Sequence, residues 1–428
     1  MCKVRILTLK YNTELKDCVI NFPAVFLSLF MIAINLCAAQ EVQVNKTMKR
    51  LPGFGRIVID SNFTNAYQVT ATDVNKDDRM DVLAISTELS EVYWYENPHW
   101  QRHLITNETK GNIDLTPKDI DRDGDFDLVL ASGFNFGRSS EPGQLYWLEN
   151  QAFGRTWILH DIDTTSVPHR VRWGDVNGDG VEELINLPIL GYGAAGPEYP
   201  VGVEFAYFEV PLKPKESRWK KVVIDTTLHM AHGLLYVNGS EAYEGAMFTA
   251  SFEGVRLFEL KNKTKTLSRN YRQITLGDTS SRPQAGCSEV ALGHFKGENN
   301  PFIATIEPWH GHQVVCYTPR KEGVLWARKT IDTTFLDGHA LLTADLNQDG
   351  YSEVIAGHRG PDYSLYIYQF NVESERWSRF DLDKGGMSTA GLFLLDFNED
   401  GYLDIVAAGS ATHNVVLYMN LAGQGGLK

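Results

Sequence analysis

A short apolar run rich in aromatic and β-branched residues recurs along this chain, each copy bounded by polar turns. The seven copies are Val92–Asn97 (VYWYEN), Leu145–Asn150 (LYWLEN), Phe205–Val210 (FAYFEV), Val255–Leu260 (VRLFEL), Val314–Pro319 (VVCYTP), Leu365–Phe370 (LYIYQF) and Val415–Asn420 (VVLYMN). Their length and residue types predict a strand for each. A second series sets an aromatic residue ahead of an aliphatic one: Trp100…Ile105, Trp157…Ile162, Trp219…Ile224, Tyr271…Leu276, Trp326…Ile331 and Trp377…Leu382. Its seventh copy, Phe54…Ile59, stands at the other end of the chain.

Repeats at such spacing indicate an array of like units. Steps of 46 to 62 residues between copies of the second series suit four strands and their loops. The displaced seventh copy predicts how the array closes, with the N-terminal strand completing the last unit and removing an open edge. The expected fold is therefore all-β, a seven-bladed propeller over residues 51–421.

A third series is chemically specific. Asp73, Asn75 and Asp77 alternate and are closed by Asp81; Asp119, Asp121 and Asp123 by Asp127; Asp175, Asn177 and Asp179 by Glu183. Asp345, Asn347 and Asp349 are closed by Glu353, and Asp396, Asn398 and Asp400 by Asp404. Calcium takes six to eight oxygen ligands, several from carboxylates, at a sharp turn that glycine relieves. An EF-hand loop begins the same way but closes three residues later between helices. Here strands flank the loops, so that reading is rejected. Asp78 stands where the other four loops have glycine, and blades four and five carry Tyr236-Val237-Asn238-Gly239 and His294-Phe295-Lys296-Gly297 instead.

These five loops resemble the calcium motif of FG-GAP/VCBS-type repeats, which build seven-bladed propellers. The likeness covers nearly all of residues 51–421 and implies up to five structural calcium ions. The Phe-Gly…Gly-Ala-Pro element of integrin-type repeats is not evident.

Composition narrows the function. The formal charge of −14 argues against a nucleic-acid partner, which requires a basic face. Lys3, Arg5, Lys10 and Lys16 precede an apolar stretch from Cys18 to Leu36 and then Cys37-Ala38-Ala39. That pattern predicts a signal peptide cut after Ala39, an uncleaved anchor being the alternative, and hence a secreted protein. A short segment 40–50 would precede the propeller and a tail 422–428 follow it. No later segment reaches the ~20 apolar residues a membrane span requires. Sequons at Asn45, Asn62, Asn107, Asn238 and Asn262 accord with a glycosylating route. Outside the leader only Cys287 and Cys316 remain, and they are expected to be unpaired, two strand spacings apart in one blade.

Strand order turns sequence position into spatial position. With strands A to D running outward from the channel, the acidic loops join A to B on one face. The starts of A strands and the B-to-C loops must then share the opposite face. His169, His232 and His339 each stand six residues before the first loop position. His310, His312, His358 and His413 fall in B-to-C loops, with Glu307, Arg170, Arg282 and Arg359 nearby and Phe134, Phe136, Tyr192, Tyr199, Trp309 and Tyr363 as aromatic platforms. Imidazoles converging on one axis suit zinc or another transition metal with an open position, so His169, His232 and His339 are the expected ligands.

Histidines in register and the Glu-Pro-Trp-His-Gly turn give the chain a resemblance to the propeller domain of aldos-2-ulose dehydratase and related secreted sugar-eliminating proteins. It implies a lyase acting on a carbohydrate. In that reading His310 or His312 abstracts a proton, Arg170, Arg282 or Arg359 steadies developing negative charge, and Glu307 sits beside them. The alternative is a binding propeller that grips a glycan or a protein partner without chemistry.

Overall fold

The computed structural model describes residues 49–238, 242–259, 271–280, 284–297, 301–321 and 323–424. The expected leader, Asn45, Asn262 and Arg282 lie outside the described residues. Residues Lys49–Lys428 form one compact unit.

Among the described residues the strands form seven four-stranded antiparallel sheets. In blade one, strands A to D are Ala66–Thr72, Asp81–Ser86, Val92–Glu96 and Gln101–Thr106. The A strands of the remaining blades are Asp114–Lys118, Arg170–Gly174, Gly233–Tyr236, Glu289–Gly293, Gly338–Ala344 and Thr389–Leu395. Each packs against the next and the last against the first, so the inner strands make a closed ring. Blade seven is completed by Phe54–Asp60, which pairs antiparallel with Asn414–Asn420. This is the closure the displaced aromatic copy predicts.

Position in the blade explains each strand's residues. B strands such as Asp127–Ser132, Phe302–Glu307 and Asp404–Gly409 are buried along their whole length, because sheets cover both of their faces. D strands such as Arg376–Lys384 lie at the rim and are largely exposed. Their arginines and lysines blunt edges that would otherwise template further pairing.

All five acidic loops adopt one conformation. Their fourth and sixth residues are left-handed, and Asp78 takes φ 64° where Gly124, Gly180, Gly350 and Gly401 stand in the others. Asp345 shows the internal bonding: its two oxygens accept the amides of Asp349 and Gly350 at 3.0 and 2.8 Å.

The ring is fastened through these loops. Asn150, at the end of strand C in blade two, donates its side-chain amide to the carbonyl of Val74 in the loop of blade one at 3.0 Å. Asn97 does the same to Phe397 of blade seven at 3.3 Å, and Asn420 to Leu346 of blade six at 3.0 Å. At other junctions the matching residue is apolar. Phe370 of blade six packs on Phe295 of blade five with ring centroids 4.8 Å apart.

Candidate functional site

Seven residues hold one register at the top of the inner ring, each six positions before its loop: Tyr67, Ile113, His169, His232, Ser288, His339 and Ala390. A cross-blade bond follows from it. The Nδ1 of His169 lies 3.1 Å from the carbonyl of His232, that of His232 lies 3.0 Å from Ser288, and that of His339 lies 2.7 Å from Ala390. Each histidine thus bonds the register residue of the following blade. A carbonyl only accepts, so Nδ1 carries the proton in all three and Nε2 is left with its lone pair.

Those lone pairs converge. His169, His232 and His339 are fully buried. Imidazole nitrogens of His232, His339 and His310 lie within 4.8 Å of one another. The rings of His169 and His232 are 4.3 Å apart. Nε2 of His232 and of His310 are buried without a hydrogen-bond partner. The Tyr67 hydroxyl sits 3.0 Å from Nε2 of His339 and 3.4 Å from Nε2 of His169, with one proton for two acceptors. His310 Nδ1 faces Asp337 at 3.5 Å and Arg359 at 3.4 Å. Burial holds all four imidazoles well below the ordinary histidine range, and the charge of Arg170 adds to it in each, with that of Arg359 in His232, His310 and His339. They are neutral near pH 7, the form that binds a metal.

A cavity of about 500 Å³ lies above this cluster. Phe134, Phe136, Ile189 and Trp309 supply apolar lining, and Asn65, Thr87, Asp337, Arg359, Ser388 and Ser410 supply polar lining. Tyr67, His232 and His310 also line it. Trp309 stacks on His310 at 3.8 Å, and Tyr199 packs on Phe136 at 5.5 Å, whereas Tyr192 is 63% exposed.

Below the mouth, Arg170 reaches across to Glu289 at 3.0 Å, and the same carboxylate oxygen lies 2.8 Å from Nδ1 of His232. Burial raises the Glu289 carboxyl to about 6, while Arg170 opposes the rise.

Several expected site residues are elsewhere. His312 is exposed and faces Gln313. His358 is buried against Phe335 and Tyr366, and His413 accepts the amide of Asn65. Glu307 is not at the mouth. It is fully buried inside blade five, accepting Tyr317 at 2.7 Å and Arg328 at 2.8 Å.

The reason lies in a repeated cluster. Asp60, Asp332 and Asp383, each on a D strand, receive a tyrosine and an arginine of the next blade: Tyr95 and Arg102, Tyr368 and Arg379, Tyr418 and Arg56. Blade four has Thr275 at the corresponding place. Tyr317 and Arg328 therefore take their carboxylate from Glu307 in their own blade. Its neighbours in the Glu-Pro-Trp-His-Gly turn suggested chemistry, but the side chain points into the sheet.

Tyr67 and Glu289 were not singled out from sequence. Tyr67 was detectable, since it stands six residues before Asp73, in the register that marked the histidines. Glu289 carried no signal of its own.

In the acidic loops Asp119, Asp121 and Asp123 present oxygens within 4.8 Å of one another. Single oxygens of Asp119, Asp121 and Asp125 are buried without a partner, which fits a cation. The closing carboxylates also latch the backbone: both oxygens of Asp81 accept amides, from Val74 at 3.0 Å and Asn97 at 2.9 Å. Burial lifts Asp81, Asp127 and Glu183 to about 7, Glu353 to about 8 and Asp404 to about 6, with neighbouring loop carboxylates adding to the rise. Cys287 and Cys316 are both free thiols, as expected.

A family model for the β-propeller domain of aldos-2-ulose dehydratase matches residues 142–320, and FG-GAP-like repeats match residues 73–130 and 345–407. The chain is a seven-bladed propeller, related at low identity to that of aldos-2-ulose dehydratase and carrying FG-GAP-like repeats in part of its length. Aldos-2-ulose dehydratase of Phanerodontia chrysosporium is 24% identical over 269 residues, 57% of this chain and 29% of its own length. Cartilage acidic protein 1 of Homo sapiens is 22% identical over 342 residues, 70% of this chain and 47% of its own. The chain spans less than half the length of either relative. Among solved structures, a chain of the BBS1N–ARL6DN complex has a TM-score of 0.52 at 10% identity, covering 87% of this chain and 98% of that one. A chain of the mitotic checkpoint complex has 0.50 at 9%, covering 97% and 98%. These two likenesses show the fold alone. No helix among the described residues is long and apolar enough to cross a membrane.

Proposed function

We propose that this is a secreted carbohydrate lyase of the dehydratase type, acting at the histidine-lined mouth, with calcium in the five acidic loops. The observation that carries the reading is the meeting of His232, His310 and His339, three neutral imidazoles of which His232 and His310 line the cavity. Zinc or a similar ion held there would supply Lewis acidity to a sugar carbonyl. His310 thus joins the ligands in place of His169.

The remaining groups handle the proton. Tyr67 presents its hydroxyl to the cavity with His169 behind it as acceptor. In the proposed elimination, Tyr67 passes its proton to His169 and takes the proton α to the carbonyl. The C–H electron pair forms the new double bond, the β C–O bond breaks, and the hydroxyl leaves as water with the proton that Tyr67 received. His169 then returns its proton to Tyr67. The rings of Phe134, Phe136 and Trp309 would pack on the apolar face of a sugar, and the hydroxyls of Ser388 and Ser410 would meet its polar groups.

Metal analysis after purification in calcium, followed by an absorbance assay on ketosugars and uronates, tests this. A transition metal lost in the His232→Ala/His339→Ala variant together with a rise in absorbance supports the lyase. Calcium alone, with glycan or protein binding and no absorbance change, supports the binding propeller.

A further inference from the structure

His232 differs from its two register partners. His169 and His339 give their Nδ1 protons to neutral carbonyls, of His232 and Ala390. The Nδ1 of His232 likewise gives its proton to a carbonyl, that of Ser288 at 3.0 Å, but alone of the three it also has a carboxylate oxygen beside it, that of Glu289 at 2.8 Å. Glu289 lies one residue past the register position of blade five. The matching residues in the other blades are Gln68, Asp114, Arg170, Gly233, Ala340 and Gly391. Asp114 is the other carboxylate of this layer, and it is taken up by Arg172 at 2.7 Å and the amide of Val171 at 3.0 Å.

The approach of Glu289 depends on the adjoining glycine. A Cβ on Gly233 would meet Ser288 O at 3.0 Å and the Cα of Glu289 at 3.1 Å. The bare backbone after His232 lets blade five come close enough for contact. Arg170, 4% exposed, crosses from blade three to the same oxygen and balances the buried charge. A carboxylate behind a ligating imidazole fixes its ring and raises its basicity, and removing one typically costs ten- to hundredfold in metal affinity.

We propose that Glu289 is a positioning residue that aims His232 at a metal ion at the mouth and makes its free nitrogen a stronger donor. This rests on the metal-centre reading above. Blades three, four and five each contribute one member of this cluster: Arg170, His232 and Glu289.

Cobalt(II) serves as the probe, titrated by its visible absorption into the full chain in millimolar calcium so that the acidic loops are filled. The unaltered protein, Glu289→Gln and Asp114→Asn are compared, with metal-free melting temperature recorded for each. The expected result is cobalt affinity ten- to hundredfold weaker and a shifted spectrum in Glu289→Gln, with Asp114→Asn unchanged. Equal affinity and spectrum in Glu289→Gln would overturn the positioning role and leave the metal centre standing. No cobalt taken up by the unaltered protein, beyond what His232→Ala/His339→Ala takes up, would overturn the centre and this inference together. Should Glu289→Gln fail to fold, imidazole proton resonances of the unaltered protein decide. One Nδ1 proton, assigned to His232, should lie downfield of those of His169 and His339, and three alike would refute the carboxylate's role.

Discussion

The hydroxyl of Tyr67 lies 3.0 Å from Nε2 of His339 although the two residues are 272 positions apart, because both occupy the same register on the inner ring. Filling His339 with a metal leaves His169 as the acceptor for the Tyr67 proton. Tyr67→Phe should lower turnover of a ketosugar by roughly 10²- to 10⁴-fold, the range for loss of a positioned acid–base group. Cobalt or zinc content should be unchanged. Loss of metal in Tyr67→Phe would assign the hydroxyl a structural task instead.

Calcium should raise the melting temperature, and EDTA should lower it. Each loop at a hundredfold excess of ion over its Kd adds about 2.7 kcal/mol. The effect should grow with pH. The closing carboxylates sit above their unfolded values, at about 6 to 8, so their contribution is present below ~4 and is lost as pH rises through that range. The buried histidines act in the opposite sense but only below ~6.5, where the unfolded chain begins to take up protons. Melting in EDTA between pH 6.5 and 8 should therefore fall, and calcium should flatten that slope. Calorimetry in both buffers measures it.

Glu307→Ala should destabilise without touching the mouth. It strips the partner from Arg328 and from the Tyr317 hydroxyl inside blade five. Breaking a buried pair costs roughly 3–5 kcal/mol, and the low end is expected because Arg328 is 35% exposed. Denaturant unfolding should show the loss, while cobalt affinity stays as in the unaltered protein.

Cys287 and Cys316 should resist alkylation at pH 8. Burial pushes the Cys316 thiol up to about 12, and burial with the neighbouring Glu307 charge raises Cys287 further from its ordinary value. The reactive thiolate is scarce at that pH and shielded as well. Peptide mass spectrometry after iodoacetamide should find both unmodified in folded protein and modified in guanidinium.

Much of this architecture was legible because repetition makes spatial position a function of sequence position. Once the Asp73 and Asp119 loops are placed between strands A and B, His169, His232 and His339 must meet on the far rim, and they do. Side-chain direction was less accessible. Glu307 adjoins the same turn as His310, yet strand alternation sends it into the sheet, where the absence of an aspartate at Thr275 gives it a partner to satisfy. Glu289 could not be foreseen, since its contact to His232 depends on how closely two blades approach at Gly233.

The asparagine fastenings bear on how this ring can move. Asn97, Asn150 and Asn420 buckle blades six, seven, one and two to one another through directional bonds to Phe397, Val74 and Leu346. Between blades five and six Phe370 packs on Phe295 instead, and the directional bonds there come from the loops, the amide of Ser352 donating to the carbonyl of His294 at 2.9 Å and the amide of His294 to the Ser352 hydroxyl at 3.0 Å. His169, His232 and His310 hang from blades that lack the asparagine but are tied to their neighbours by the imidazole–carbonyl bonds instead. With directional bonds on both sides of the ring, a guest entering the cavity would meet imidazoles and the Tyr67 hydroxyl already set in place, and the cost of arranging them would have been met in folding.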